Sequence, residues 1–292
     1  MNSFPNLMNR LRSQKNYLLQ ESSNYWRFYK QVVVRPTEII NQKEILIAGL
    51  RRTGNHAIIG WIRAQHPDKA WHLNHPPAGQ NPYQFLYSHF KKPEFREEAI
   101  GNFSKKSLLL ISYEDQKLEK IGSEKFEKFH DIYVGASANR FDVLILRDPF
   151  NLIASRLQSN MSKIDDGSAG QAIALWKSYA REFLGETQFL THNKLCVNFN
   201  QWHYSQQYRQ ELATSLEIEF TDAGREQIKG YGGGSSFDGC KLDGRASELD
   251  ILNRWQSFEN IDSFWQLLKD EELVNYAERI FDRETLPFDR LK

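Results

Sequence analysis

Two short stretches of this chain carry residue types suited to holding phosphate. In the first, Ile45-Leu46-Ile47-Ala48 runs into Gly49-Leu50-Arg51-Arg52-Thr53-Gly54-Asn55, and His56-Ala57-Ile58-Ile59 opens a helical pattern. A buried strand, a basic glycine-flanked turn and a helix N-terminus aim backbone N–H groups into one concavity, a ready anion site. In the second, Phe141-Asp142-Val143-Leu144-Ile145-Leu146 leads into Arg147-Asp148-Pro149, with Ser155 inside the helix that follows. Pro149 suits a first helical turn. From their positions, Arg147 and Ser155 can offer a guanidinium and a hydroxyl to one phosphate. The plain alternatives are an ordinary strand–turn–helix for the first motif and a capping turn with surface arginines for the second.

Gly49 and Gly54 keep the spacing of the two glycines in the triphosphate loop Gly-x-x-x-x-Gly-Lys-Ser/Thr. Asn55 stands where that loop has its lysine, and His56 where it has the Mg²⁺-binding hydroxyl. The cations lie inside the loop instead, as Arg51 and Arg52. Such a loop is poorly built for metal-bridged triphosphate transfer. It suits a less charged 5′-phosphate derivative held by arginine. A kinase with a degenerate phosphate loop and a non-catalytic bisphosphate-binding module remain the readings from other classes.

The two segments together resemble the sulfotransferases that use 3′-phosphoadenosine 5′-phosphosulfate (PAPS). Arg52-Thr53-Gly54-Asn55-His56 is similar to the family's first motif, and Arg147-Asp148-Pro149 with Ser155 eight residues after Arg147 is similar to its second. The resemblance implies that Arg52, Thr53, Gly54 and Asn55 hold the 5′-phosphosulfate, with Arg51 and His56 as further candidates for binding it. Arg147 and Ser155 would hold the 3′-phosphate, adenosine 3′,5′-bisphosphate would be the product, and no metal is expected. Family members also close a mobile loop over the 3′-phosphate. Gly230-Tyr231-Gly232-Gly233-Gly234-Ser235-Ser236 stands in that region and implicates Gly233, Gly234 and Ser235, although the family's Arg-Lys pair is missing. Lys229, Lys241 or Arg245 would have to supply its charge. The family's third core strand is matched at Lys194–Gln201, but its acidic residue is not.

Sulfuryl transfer needs a cation on the departing oxygen and a base for the acceptor hydroxyl. Arg52 is the expected cation. Leu108-Leu109-Leu110-Ile111-Ser112-Tyr113-Glu114-Asp115 ends a strand in two carboxylates, and Glu114 is the expected base. His56, His75 and His89 compete for that role. His72 and His75, within Trp71-His72-Leu73-Asn74-His75, would line an acceptor pocket built from residues 71–103 and 158–172. No motif there names the hydroxyl-bearing acceptor. A carbohydrate is favoured because Trp71, Tyr83, Tyr87 and Phe90 could stack on it.

The elements that must position these groups follow from hydrophobic spacing. Strands are expected at 44–49, 107–112, 142–147 and 195–199, with a weaker one near 132–135. Helices are expected near 55–65, 124–129, 149–160, 170–190, 205–214, 247–269 and 271–282. This alternation predicts an α/β fold, a three-layer parallel sheet flanked by helices, of the P-loop-like sulfotransferase architecture that the resemblance implies. Ligands of such a sheet bind beyond the carboxyl ends of its strands. Residues 1–40 read as a helical arm of one or two short helices, and residues 41–292 as the α/β domain.

Bulk composition narrows the partners. Lys and Arg total 38 against 37 Asp and Glu, so the net charge of +1 gives no reason to expect wholesale nucleic-acid binding. Two cysteines, Cys196 and Cys240, make neither a disulfide framework nor a metal site. No stretch reads as a transmembrane anchor or a signal peptide, so a cytoplasmic enzyme is expected. Oligomeric state is not encoded in any motif.

Overall fold

The computed structural model describes residues 4–34, 38–66, 68–90, 92–228, 230 and 234–291. The chain opens with helix α1 (Phe4–Val34) and enters strand β1 (Ile39–Gly49), then α2 (Asn55–Gln65) and β2 (Trp71–Asn74). Helices α3 (Pro82–Phe90) and α4 (Glu94–Ile100) lead to β3 (Lys106–Glu114), followed by α5 (Leu118–Ile121) and α6 (Glu124–Val134). Strand β4 (Ala136–Leu146) precedes α7 (Pro149–Gln158), α8 (Ser168–Phe183) and β5 (Leu195–Asn198). The rest is helical or irregular: α9 (Phe199–Tyr204), α10 (Gln206–Ser215), α11 (Asp262–Leu268) and α12 (Glu271–Ile280).

Five strands form one parallel sheet in the order β2-β3-β1-β4-β5. Alternate residues of each central strand enter different cores. Leu46, Ala48, Leu109, Ile111, Leu144 and Leu146 belong to one cluster, and Ile45, Ile47, Leu108, Leu110, Val143 and Ile145 to the other. Helices therefore cover both faces, which is the three-layer α/β arrangement expected from the sequence. Because β1 is central, the turns after β1, β3 and β4 lie side by side at the carboxyl edge of the sheet. The chain leaves β1 toward one side and returns on the other, the topology that opens a crevice there.

Three expectations are corrected. The weak strand near 132–135 is the last turn of α6. Ser123 caps that helix by accepting the Phe126 N–H, and Phe126, Phe129 and Tyr133 recur at helical spacing into the core. The expected helix 247–269 is broken into short 3-10 turns at Ala246–Glu248 and Arg254–Phe258 before α11. The carbonyl of Ile251 is instead turned onto the guanidinium of Arg147, a bond that a continuous helix would forbid. The N-terminal segment is one helix of 31 residues rather than one or two short ones.

Smaller differences have local causes. The helix expected to reach residue 190 stops at Phe183, because Gly185 (φ 78°) turns the chain back. Buried Glu182 then accepts the N–H groups of Phe189 and Leu190. Strand β2 went unforeseen because only four residues of it are paired and two of them are polar. β1 begins at Ile39, inside the expected arm.

Candidate functional site

The turn between β1 and α2 is shaped before any ligand is considered. Arg52 (φ 75°) and Gly54 (φ 91°) both adopt left-handed backbone, strained for arginine and free for glycine. Gly54 could not be anything larger, since an added Cβ would lie 2.0 Å from the Phe199 ring. The Thr53 hydroxyl, 2.6 Å from the Leu50 carbonyl, and both Asn55 amide hydrogens are used to hold the turn. Asn55 Nδ2 donates to Leu50 O (3.0 Å) and to Glu114 Oε1 (2.9 Å), tying the turn to the end of β3.

A second set of bonds braces the peptides around Arg51. Its N–H donates to Asp115 Oδ1 (2.9 Å) and its carbonyl accepts from Arg156 Nη1 (3.3 Å). Arg156 in turn grips Asp115 at 2.8 and 3.1 Å. Strand β3, helix α7 and the turn are thus closed into one ring of hydrogen bonds. Such over-determination is what lets a strained arginine conformation persist.

Beyond the turn lies a cleft bounded by the β1–α2 turn, the end of β4, α9 and the backbone around Ser235 and Ile251. Its walls carry Arg52, Arg147, Arg225 and Arg254, contributed by four separate segments. Arg147 Nη1 donates to the Arg52 carbonyl (3.2 Å) and to Ser155 Oγ (3.1 Å). Arg254 Nη1 reaches the same hydroxyl at 3.4 Å, and its Nη2 donates to Ser235 Oγ (3.0 Å). Arg52 Nη1 donates to the Gly234 carbonyl (3.0 Å), so Gly234 and Ser235 are held against Arg52 and Arg254.

The electrostatics are one-sided. Among the described residues, Glu114 is the one carboxylate lining the cleft. Burial, followed by the neighbouring Arg254 guanidinium, pushes Arg147 down to about 9 despite Asp148 beside it. Burial is also the leading cause that lowers Arg52, Arg225 and Arg254 from the ordinary arginine value. The buried Nε atoms of all four arginines have no hydrogen-bond partner. An unmet buried donor costs ~1–3 kcal/mol, more when charged, so an arrangement of this kind is completed by an anion.

The opposite wall is apolar. Phe199 stacks on Trp202 with centroids 5.8 Å apart and presents its ring to Arg147 at 5.7 Å. Leu249 and Ile251 continue that surface. Arg147 and Arg225 lie over the Phe199 and Trp202 rings, so cationic and aromatic groups share one cleft.

The residues expected from the sequence fall into three groups. Arg52, Gly54, Asn55, His56, Glu114, Arg147, Gly234 and Ser235 line the cleft, and Ser155 lies at its floor between two arginines. Thr53 is buried within the turn and Arg51 turns away, its Nη2 3.1 Å from His75 Nε2 and its Nε 3.7 Å from Glu114. Gly233 and Lys229 lie outside the described residues. Lys241 and Arg245 do not supply the charge expected of them, for both are exposed and Arg245 pairs with Glu248.

Of the competing histidines, only His56 is at the cleft, with Nε2 3.9 Å from Glu114 Oε1. His75 is held between Arg51 and the Glu114 N–H, and His89 stacks on Phe85. His72 bonds Ser112 Oγ at 2.9 Å, and burial pushes it down to about 3, so it stays neutral. Among the described residues none of 71–103 or 158–172 lines the cleft, and Tyr83 is core. Sequence reasoning missed Arg225, Arg254, Phe199 and Trp202. Their one outward sign is a basic or aromatic residue in segments without periodicity.

No protein-family model matches the chain, and no curated protein matches it in sequence. Two solved structures, both of sulfotransferases, are similar to it in fold. One is the sulfotransferase domain from the curacin biosynthetic pathway, 14% identical, covering 87% of this chain and 100% of that one with a TM-score of 0.47. The other is mouse sulfotransferase SULT7A1 complexed with PAP, 10% identical, covering 82% of this chain and 89% of that one with a TM-score of 0.40.

Proposed function

We propose that this protein is a sulfotransferase that moves the sulfuryl group of PAPS to a hydroxyl or amine acceptor by in-line transfer. The observation that supports this most is the meeting of four guanidiniums, three buried and that of Arg52 half-buried, with unpartnered Nε atoms, in a cleft lined by one carboxylate. A donor that carries anionic groups at both ends of a nucleoside answers that distribution. Arg147, Ser155 and Arg254 would take the 3′-phosphate, and the first-turn N–H groups of α2 with Arg52 the 5′-phosphosulfate. The slot of Phe199, Trp202, Leu249 and Ile251 suits a purine.

Bound PAPS supplies an activated sulfuryl group; the chain supplies position and charge. Arg52 stabilises negative charge that grows on the departing oxygen, an effect of ~10²–10³ in rate for one well-placed donor. Glu114 accepts the acceptor's proton at Oε1 or Oε2, with the Asn55 amide fixing its orientation. Two free thiols, Cys196 and Cys240, suit a cytoplasmic setting.

A kinase reading is disfavoured by the same bonds. The Asn55 amide has no hydrogen left for a phosphate, and no hydroxyl follows it to hold Mg²⁺. The test is thermal stabilisation by adenosine 3′,5′-bisphosphate against Mg·ATP. A ligand at a hundred times its Kd stabilises by ~2.7 kcal/mol, so the bisphosphate should raise Tm by several degrees and Mg·ATP should not. The reverse order overturns the proposal. Labelled PAPS offered with a panel of acceptors then separates an enzyme from a binding module.

A further inference from the structure

Helix α1 turns polar groups as well as Phe28 toward the protein and leaves large apolar side chains outside. Asn24, 2% exposed, is turned inward and shares its amide with Gln84 (3.3 and 3.5 Å). Arg27 also points inward, donating to the Ile132 carbonyl (2.5 Å) and the Ala99 carbonyl (3.5 Å). Glu21 is taken by Lys125 at 2.8 Å. The apolar side chains face out: Leu18 is 66% exposed, Trp26 57%, Tyr29 59% and Val32 69%, with Leu19, Tyr25 and Val33 beside them. Tyr25, Trp26, Tyr29, Val32 and Val33 recur at three- and four-residue spacing, and Leu18 and Leu19 lie two turns earlier on the same face beyond Ser22 and Ser23, so they form one stripe along the helix. The helix meets its own protein through Asn24, Arg27, Glu21 and the Phe28 ring, which packs beside Phe129, and still shows water a row of Leu, Trp, Tyr and Val side chains that is built to be covered.

The charge on the helix says by what. Over Phe4–Val34 the basic residues are Arg10, Arg12, Lys15, Arg27 and Lys30, and the one acid is Glu21. Lys15 and Lys30 are exposed, and Lys30 sits 5.3 Å over the Trp26 ring at the border of the stripe. A second copy of the helix would bring like charges together, with its only acid already paired. An anionic surface would meet complementary charge. Trp and Tyr among aliphatic residues, bordered by lysine, is the composition of a helix lying in the headgroup region of a bilayer. Among the described residues no helix is long and apolar enough to cross a membrane. The near-neutral balance of the whole chain conceals this local excess.

We propose that α1 is a peripheral membrane-binding element. It lies along an anionic phospholipid surface through Leu18, Trp26, Tyr29, Val32 and Val33, with Lys15 and Lys30 on the lipid headgroups. None of the described α1 side chains lines the cleft, so binding through them leaves the candidate site open.

The test uses the full chain and two sets of vesicles, phosphatidylcholine alone and phosphatidylcholine with phosphatidylserine, in a flotation assay. Co-flotation with the anionic vesicles only, falling as salt is raised, supports the proposal. The double variant Lys15→Glu/Lys30→Glu should partition at least ~10-fold more weakly, at about a fivefold loss per charge. Trp26→Ser/Tyr29→Ser should lose binding in both salt conditions while keeping the wild-type Tm, since both rings are exposed. No flotation with either vesicle overturns the proposal. So does light scattering that shows a dimer dissociated by Trp26→Ser/Tyr29→Ser, for then the stripe is covered by a second copy.

Discussion

The molecule buries charge in two regions and does so in opposite ways. Toward the N-terminal side of the sheet every buried charge has its counterpart. Lys106 meets Glu98 at 2.7 Å, and Glu44 lies 2.8 Å from His130 and 3.8 Å from Arg140. Arg140 is itself forked onto Glu127 at 2.8 and 3.0 Å. At the carboxyl edge four guanidiniums crowd a cleft lined by one carboxylate, and among the described residues only Arg254 of the four has an acid within 4 Å, Asp238 at 3.8 Å. Burying an ion without its counter-ion is costly, so the first region is complete within the protein and the second calls for something from outside. Paired burial reads as architecture, and unpaired burial as a binding site.

The comparison is broken or sharpened by substitution on each side. Glu44→Ala leaves His130 and Arg140 without their buried partner and should lower unfolding free energy by about 3–5 kcal/mol. Urea denaturation would measure that loss, while the folded fraction should bind bisphosphate as before. Arg52→Ala should reverse the pattern, with sulfuryl turnover down ~10²–10³-fold and the urea midpoint little moved. Arg254→Met should weaken adenosine 3′,5′-bisphosphate ~10–100-fold by calorimetry. Its stability without ligand should stay within about 1 kcal/mol of the parent, or rise, because a crowded cation has gone. A loss of stability as large as that of Glu44→Ala would erase the distinction.

The smallest effect is a pH dependence that belongs to the paired side. Burial lowers His130, but Glu44 and Asp131 outweigh it and raise the imidazole from 6.5 to about 9. That contribution is complete below pH 6.5 and is lost as pH rises through about 9. Burial raises Glu44, but His130 and Arg140 outweigh it and bring the carboxyl from 4.5 to about 2. Its contribution is present above pH 4.5 and fades as pH falls toward about 2. Urea midpoints across this range should decline at both ends, and His130→Gln should flatten the alkaline decline.

The motif residues were legible because each sits where periodicity changes. Arg52 and Gly54 follow a buried run and open a helix, Arg147 and Ser155 do the same after β4, and Glu114 closes β3. A strand that ends in a turn fixes where its last side chains go. Arg254 and Arg225 were illegible for the converse reason. They lie in 3-10 and irregular backbone whose path is set by tertiary bonds, such as that from Arg147 to the Ile251 carbonyl. The residues 132–135 misled in the same way, since Ile132 and Val134 favour a strand locally while Phe126, Phe129 and Tyr133 bind the segment to the core as a helix.

The ring that joins Arg51, Asp115 and Arg156 has a thermodynamic consequence. Loops that order only on association surrender freedom at that moment, and affinity suffers for it. Here the loss is incurred during folding, when α7 docks against β3. A newcomer to the cleft meets a cradle already set, and its departure leaves no slack chain to be rewound before the next arrival.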